Sequence, residues 1–152
     1  MTLYLAVKFL HILMAVAAVG FNASYAVWLV RARRHPEHLE FALKGVKFMD
    51  DYVANPAYIG LLITGLAMVL LLPWNLLHSF WLEAAIVLWA IVALLGYGVY
   101  TPTLSRQIKI LASKGAKDEQ YKWLDQRAQR VGPALGVIVL VIIGLMVFKP
   151  TL

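Results

Sequence analysis

The sequence contains no cysteine. This absence excludes disulfide bonds, cysteine-ligated zinc, iron–sulfur clusters and covalent attachment of a c-type haem, because each of these requires a thiol. The sequence also lacks a phosphate-binding loop, a nucleophile–base pair and a metalloprotease motif. No catalytic residue is therefore predicted from a motif.

Charged residues are scarce as well. They make up 14% of the chain and hydrophobic residues make up 62%, whereas soluble domains average about 25% and about 45–50%. A chain of 152 residues cannot enclose that much apolar surface in a core of its own. The composition therefore predicts a single integral membrane domain over residues 1–152.

Four long apolar runs interrupt the polar sequence. They cover about residues 3–30, 56–73, 79–100 and 132–148. Each run approaches or exceeds the roughly 20 helical residues that cross a hydrocarbon layer of about 30 Å. The first run is too long for a signal peptide and lacks a basic start. The sequence therefore predicts an all-α fold, namely a four-helix transmembrane bundle.

The basic residues are placed unevenly around these spans. Those that separate spans one and two or spans three and four are Arg31, Arg33, Arg34, Lys44, Lys47, Arg106, Lys109, Lys114, Lys117, Lys122, Arg127 and Arg130. The link between spans two and three has none. The positive-inside rule then predicts cytoplasmic long connections and a multi-pass protein with both termini outside.

The net charge of +6 is thus a topology signal, and nucleic acid is not an expected partner. The expected partner is the lipid bilayer, with basic side chains near anionic headgroups. The sequence leaves open whether the chain also forms a homo-oligomer or joins a larger membrane complex.

The cytoplasmic connections are predicted to be helical extensions of the spans. Pro36 suits the first turn of a helix, and Glu40 and Lys44 are spaced as an i,i+4 ion pair. Gly115 is expected to end the extension of span three. The pair Asp50-Asp51 precedes Asn55-Pro56 at the inner end of span two. A cation or partner site is one interpretation of this pair, but solvation and pairing with Lys44 and Lys47 are expected.

Three ionisable residues lie within the spans, where charge is costly and usually faces the bundle interior. They are Lys8, His11 and Glu83. At about 1.5 Å per residue, Lys8 and Glu83 reach a similar depth, and Thr64 reaches that of His11. The sequence therefore predicts a structural polar cluster of Lys8, Glu83, Thr64 and Asn22 around His11.

The first span also presents a stripe of polar and small residues. Its members are spaced by three or four positions, so they share one helix face, and they are Lys8, His11, Ala15, Ala18, Asn22 and Tyr25. Since the stripe is unsuited to lipid, it is expected to face the other helices.

Three interpretations of His11 remain open. In the first, no cofactor is present: a neutral imidazole is hydrogen-bonded to Thr64, Tyr97 or a carbonyl, and Lys8 pairs with Glu83 to join spans one and three. In the second, His11 is an axial ligand of haem b, with Lys8 beside a propionate. In the third, His11, His78 and Glu83, together with Met14, form a copper site at the outer face.

Several segments resemble a known family. The quoted segments are "KFLHILMAVAAVGF", "NPAYIGLLITGLAMVL", "WLEAAIVLWAIVALL" and "GPALGVIVLVIIGLMVFKP". Together they resemble a bacterial family of predicted integral membrane proteins, domain of unknown function 2269. More remotely, they resemble the HemJ-like protoporphyrinogen oxidases and the CopD-like copper-resistance membrane proteins.

The resemblance carries functional expectations. HemJ-like proteins are small helical membrane proteins that bind haem b, and His11 matches their first-span histidine, while Lys149 and Pro150 match their terminal helix. Ala85 stands where they have a lysine, with Glu83 nearby. The resemblance thus implies haem b binding in a redox or porphyrin-related role, with Met14 and Met68 as possible second iron ligands. The alternatives are a non-enzymatic structural or assembly subunit and CopD-like copper handling at the periplasmic side. The resemblance also implies the bacterial inner membrane, with both termini in the periplasm.

Overall fold

The computed structural model describes residues 2–71 and 79–150. All regular structure in these residues is helical, in four long helices: α1 (Thr2–Arg33), α2 (Pro36–Leu71), α3 (Phe80–Lys114) and α4 (Glu119–Phe148). Each is long and apolar enough to cross a membrane. The predicted all-α fold with helical extensions is confirmed, although the end of the second predicted span lies outside the described residues.

The ends of the helices follow from local sequence. Pro36 lies in the first turn of α2, where its missing N–H would have no partner in any case. Gly115 ends α3 as predicted, at a φ of 81° that side chains with a Cβ rarely adopt. Asp118 caps α4, because its carboxylate accepts hydrogen bonds from the backbone N–H groups of Gln120 and Tyr121.

A widened, π-helical turn interrupts each of the two central helices. The turns are Asp50–Ala54 in α2 and Gly96–Tyr100 in α3. Each lies just before an X-Pro pair, Asn55-Pro56 or Thr101-Pro102. Because proline has no N–H and its ring crowds the preceding turn, a wider turn lets the helix continue past it. Neither proline therefore ends its helix.

The helices pair as two hairpins. α1 packs along α2, and the first half of α3 packs along α4.

The two halves of the bundle differ in their packing. All four helices meet in the half where α1 joins α2 and α3 joins α4, which we call the connection half. Its hydrophobic core consists of Tyr25, Leu29, Ala32, Leu39, Ala42, Leu43, Val46, Ala54, Tyr100, Leu104, Tyr121 and Ala128. In the other half, called here the terminal half because it contains the first and last described residues, large apolar side chains such as Phe9, Leu70 and Phe148 are exposed.

An ion pair joins three helices in the connection half. Arg33 on α1 donates to both carboxylate oxygens of Asp125 on α4, at 2.8 Å from Nη2 and 3.2 Å from Nε. Gln107 on α3 and Gln129 on α4 donate to the same carboxylate, at 3.3 and 2.7 Å. Bidentate arginine–carboxylate contacts of this kind fix relative orientation as well as distance.

Replacing Asp125 with alanine is therefore expected to lower the free energy of unfolding by about 2–3 kcal/mol. The change removes the acceptor from Arg33 and from the buried amide of Gln107. Asp51→Ala is the matched control, because Asp51 forms only an exposed i,i+4 pair with Lys47 that contributes about 0.5 kcal/mol or less. Denaturation in detergent measures the free energy of unfolding of both variants. Equal decreases in the two variants would contradict the role of Asp125 in joining the helices.

Candidate functional site

The hydrogen bond between His11 and Thr64 defines one polar position in the terminal half. His11 Nδ1 on α1 lies 2.8 Å from Thr64 Oγ1 on α2. Thr64 Oγ1 also lies 2.6 Å from the carbonyl oxygen of Gly60, an acceptor that takes the single hydroxyl proton. Thr64 must then accept from His11, which places the imidazole proton on Nδ1 and leaves a lone pair on Nε2.

Two glycines let α1 approach α2 at this position. A Cβ built on Gly60 would lie 2.2 Å from Met14 Sδ, and one on Gly65 would lie 3.3 Å from His11 Cε1. Small residues at a helix interface permit this close approach in membranes. Met14 is thus packed between α1 and α2.

A large cavity separates the two hairpins beside His11. It has a volume of about 720 Å³ and is lined by side chains of all four helices. Nearly all of the lining is apolar, and His11, Tyr58 and Trp89 are its polar members. The volume falls within the roughly 300–1,000 Å³ of typical small-molecule sites. The lining includes Met146 on α4 but neither Met14 nor Met68.

The predicted ion pair between Lys8 and Glu83 does not form. Both side chains are exposed, and among residues 2–71 and 79–150 no salt bridge includes either of them. The reason is helix order: α1 packs along α2 and the start of α3 along α4. Lys8 and Glu83 therefore belong to different hairpins.

The other predicted ligands differ in their surroundings. His78 lies outside the described residues, so the geometry of the predicted copper site is not described. Within the described ranges, no group of three His, Cys, Asp or Glu side chains is arranged to hold a metal ion. Ala85 is buried in the cavity wall. Lys149 Nζ lies 5.4 Å from the centre of the Trp81 ring, a cation–π contact between the end of α4 and the start of α3.

Asn22 belongs to a different polar group from the one predicted. Its side-chain amide donates to the carbonyl oxygen of Ala18 at 2.8 Å and to the hydroxyl of Tyr58 at 3.3 Å. The stripe on α1 does face the interior from His11 onward, with Ala18 and Tyr25 buried. Only Lys8, at its outer end, is exposed.

Asp50 lines a small cavity together with Asn22 and Tyr58. It is 4% exposed, and its Oδ2 accepts hydrogen bonds from Thr101 Oγ1 at 2.7 Å and Asn55 Nδ2 at 3.4 Å. The prediction of solvation and lysine pairing is therefore wrong for Asp50. Asp51, its neighbour, is exposed and pairs with Lys47.

The predicted Glu40–Lys44 pair is confirmed at 2.7 Å. Lys44 and Lys47, the two lysines predicted to pair with Asp50, are therefore both paired with other carboxylates.

The sequence signal that could have identified Asp50 is its position shortly before Asn55-Pro56. Asn55-Pro56 and Thr101-Pro102 both interrupt helical patterns, and widened turns before such prolines are frequent at functional sites.

Residues 5–150 match the family of predicted integral membrane proteins designated DUF2269. The chain belongs to this family. Comparison with curated proteins gives no match. Comparison with solved structures gives none either.

Membership of DUF2269 makes the chain an integral membrane protein. The exposed apolar side chains of the terminal half are therefore surfaces that contact lipid. In a DUF2269 protein, the cavity beside His11 is consequently an apolar site within the membrane-spanning part of the bundle.

Proposed function

We propose that this DUF2269 protein binds haem b in the cavity between its hairpins, with His11 Nε2 as an axial ligand, in a redox or porphyrin-related role. The observation that carries the proposal is the Thr64 hydroxyl, which orients the imidazole and leaves its Nε2 lone pair free. Histidine ligands of metals commonly donate their other ring N–H to a fixed acceptor in this way.

The surroundings of His11 suit a porphyrin. A large apolar cavity offers burial for the macrocycle, and helical bundle cores are common haem sites. Lys8 is one helical turn from His11 toward the chain end and is exposed, and in this proposal it would pair with a propionate. Bound haem would supply one-electron chemistry, while the chain supplies the ligand and the apolar surroundings.

For the position of a second iron ligand, the described lining would offer one candidate. Met146 on α4 is the methionine that lines the cavity, and thioether sulfur is an established haem ligand. Met14 is unsuited to the position because it packs against Gly60 between α1 and α2. We therefore propose Met146 for this position, since it approaches from the other hairpin.

We further propose that the protein lies in the bacterial inner membrane with both chain ends in the periplasm. The support is the distribution of Lys and Arg, which cluster in the connection half and its two turns. On this topology, His11 and its cavity lie in the periplasmic half of the bilayer.

The visible absorption spectrum of the detergent-purified protein tests the proposal. Oxidised and dithionite-reduced samples from haem-replete cells are compared, with haem and copper content measured on the same preparation. A Soret band with sharper bands on reduction is expected. A colourless protein would refute haem binding, and the His11–Thr64 bond would then be a structural contact between α1 and α2.

A further inference from the structure

We propose that Asp50 is a proton-carrying site inside the bundle, which exchanges its proton with water entering from the connection half. Its carboxyl group is held in the neutral, protonated form. The site is independent of haem and of His11.

The first support is that no cation contacts Asp50 in the described part of the chain. Its hydrogen-bond partners, Thr101 and Asn55, are both neutral. The two lysines on the same helix are paired elsewhere, Lys47 with Asp51 and Lys44 with Glu40. An ionised carboxylate buried without a cation is costly in a membrane protein. Protonation removes that cost.

The hydrogen bonds also assign the proton to one oxygen. Oδ2 accepts from both Thr101 and Asn55, so it is the carbonyl-type oxygen of a carboxylic acid. Oδ1 has no hydrogen-bond partner among the described residues and is therefore the hydroxyl-type oxygen. Asp50 lines a small cavity of about 30 Å³, which is large enough for about one or two waters.

The small cavity adjoins a larger one that extends into the connection half. The larger cavity has a volume of about 450 Å³ and reaches Arg33 and Gln129. Asn22, Tyr58 and Tyr100 line both cavities. Their amide and hydroxyl groups provide donors and acceptors along the route, as a water-mediated proton path requires.

An unpartnered hydroxyl in the larger cavity points to water on this route. Tyr25 is 2% exposed, and its hydroxyl has no hydrogen-bond partner among the described residues. Tyr25 lines the larger cavity. A buried hydroxyl without a protein partner is usually satisfied by an ordered water.

Among the described residues, the groups around Asp50 include no unpaired cation that would replace the proton. The ionisable side chains that face it are Tyr25 on α1, Lys47, Asp51 and Tyr58 on α2, and Tyr97 and Tyr100 on α3. α4 contributes Leu135 to the small cavity and no ionisable group to its described lining. Apart from the paired Lys47 and Asp51, every one of these groups is a neutral phenol at neutral pH.

Infrared spectroscopy of the full-length protein tests the proposal directly. The spectrum of the Asp50→Asn variant is subtracted from that of the wild type at neutral pH, in H₂O and in D₂O. We expect a carboxylic acid C=O band that is lost in Asp50→Asn and shifts in D₂O. A difference spectrum with carboxylate bands alone would overturn the proposal, as would an acid band that is insensitive to D₂O.

Two further variants report on the hydrogen-bond assignment. Thr101→Val removes a donor to Oδ2, so the C=O band is expected to shift to higher frequency. Asp125→Asn is the matched control, because Asp125 pairs with Arg33 and should contribute only carboxylate bands. An unchanged band in Thr101→Val would overturn the assignment of the proton to Oδ1.

A hydrophobic carbodiimide distinguishes a proton from a metal cation. Dicyclohexylcarbodiimide adds to a protonated carboxyl group, and the adduct is located by mass spectrometry of the digested protein. We expect the labelling of Asp50 to fall as the pH rises. We expect no change in labelling when Na⁺ is added at constant ionic strength. If Na⁺ at fixed pH reduced the labelling of Asp50, the site would bind a metal cation and not a proton, and the proposal would be overturned.

Discussion

Replacing His11 with alanine is expected to abolish the haem spectrum of the purified protein while the helices stay folded. The change removes the nitrogen ligand, and no other described histidine lines the cavity. Thr64 keeps its hydrogen bond to the carbonyl of Gly60, so its hydroxyl proton still has an acceptor when the imidazole is removed. Haem content and the Soret band measure the first effect, and circular dichroism measures the second.

Two variants make this experiment specific. His38→Ala is the matched control, since it removes an exposed histidine far from the cavity and should leave the spectrum unchanged. Thr64→Val removes the acceptor for Nδ1–H, and loss of such an outer partner weakens metal binding by roughly 10–100-fold. If His11→Ala kept its full spectrum, a different ligand would hold the iron. Imidazole added to His11→Ala should restore part of the spectrum.

Replacing Leu104 with alanine is expected to have the largest effect on stability. Leu104 is fully buried in the core of the connection half, where all four helices meet. Removing a buried leucine side chain costs about 2–5 kcal/mol, because both its burial and its packing contacts are lost. Unfolding of the detergent-solubilised protein, followed by circular dichroism, measures the change.

Leu94 provides the comparison on the same helix. It is 73% exposed and faces lipid or detergent, so Leu94→Ala leaves the side chain's surroundings apolar in both the folded and unfolded states. A change below about 1 kcal/mol is expected. Similar losses for Leu94→Ala and Leu104→Ala would mean that the core of the connection half does not dominate stability.

The fold was predictable because hydropathy and charge act along the chain. A helix satisfies its own backbone in lipid, so each long apolar run identifies a span without knowledge of its neighbours. The helix ends near Pro36 and Gly115 also follow from local backbone chemistry. Helix order is different, because it depends on contacts between residues that are distant in sequence.

The predicted polar residues show where that limit lies. His11 and Thr64 were matched by depth, and they meet because their two spans are consecutive and packed along each other. Lys8 and Glu83 were matched by the same argument and do not meet, because depth says nothing about which helices are neighbours.

By itself, the sequence determined that this is a four-span helical membrane protein with a histidine inside its first span. The tertiary structure alone decided which of its acidic residues is buried. Asp50 and Asp51 are adjacent and chemically identical, yet successive helical residues point in different directions. Asp51 therefore reaches Lys47 at the surface, while Asp50 is enclosed by the widened turns of α2 and α3.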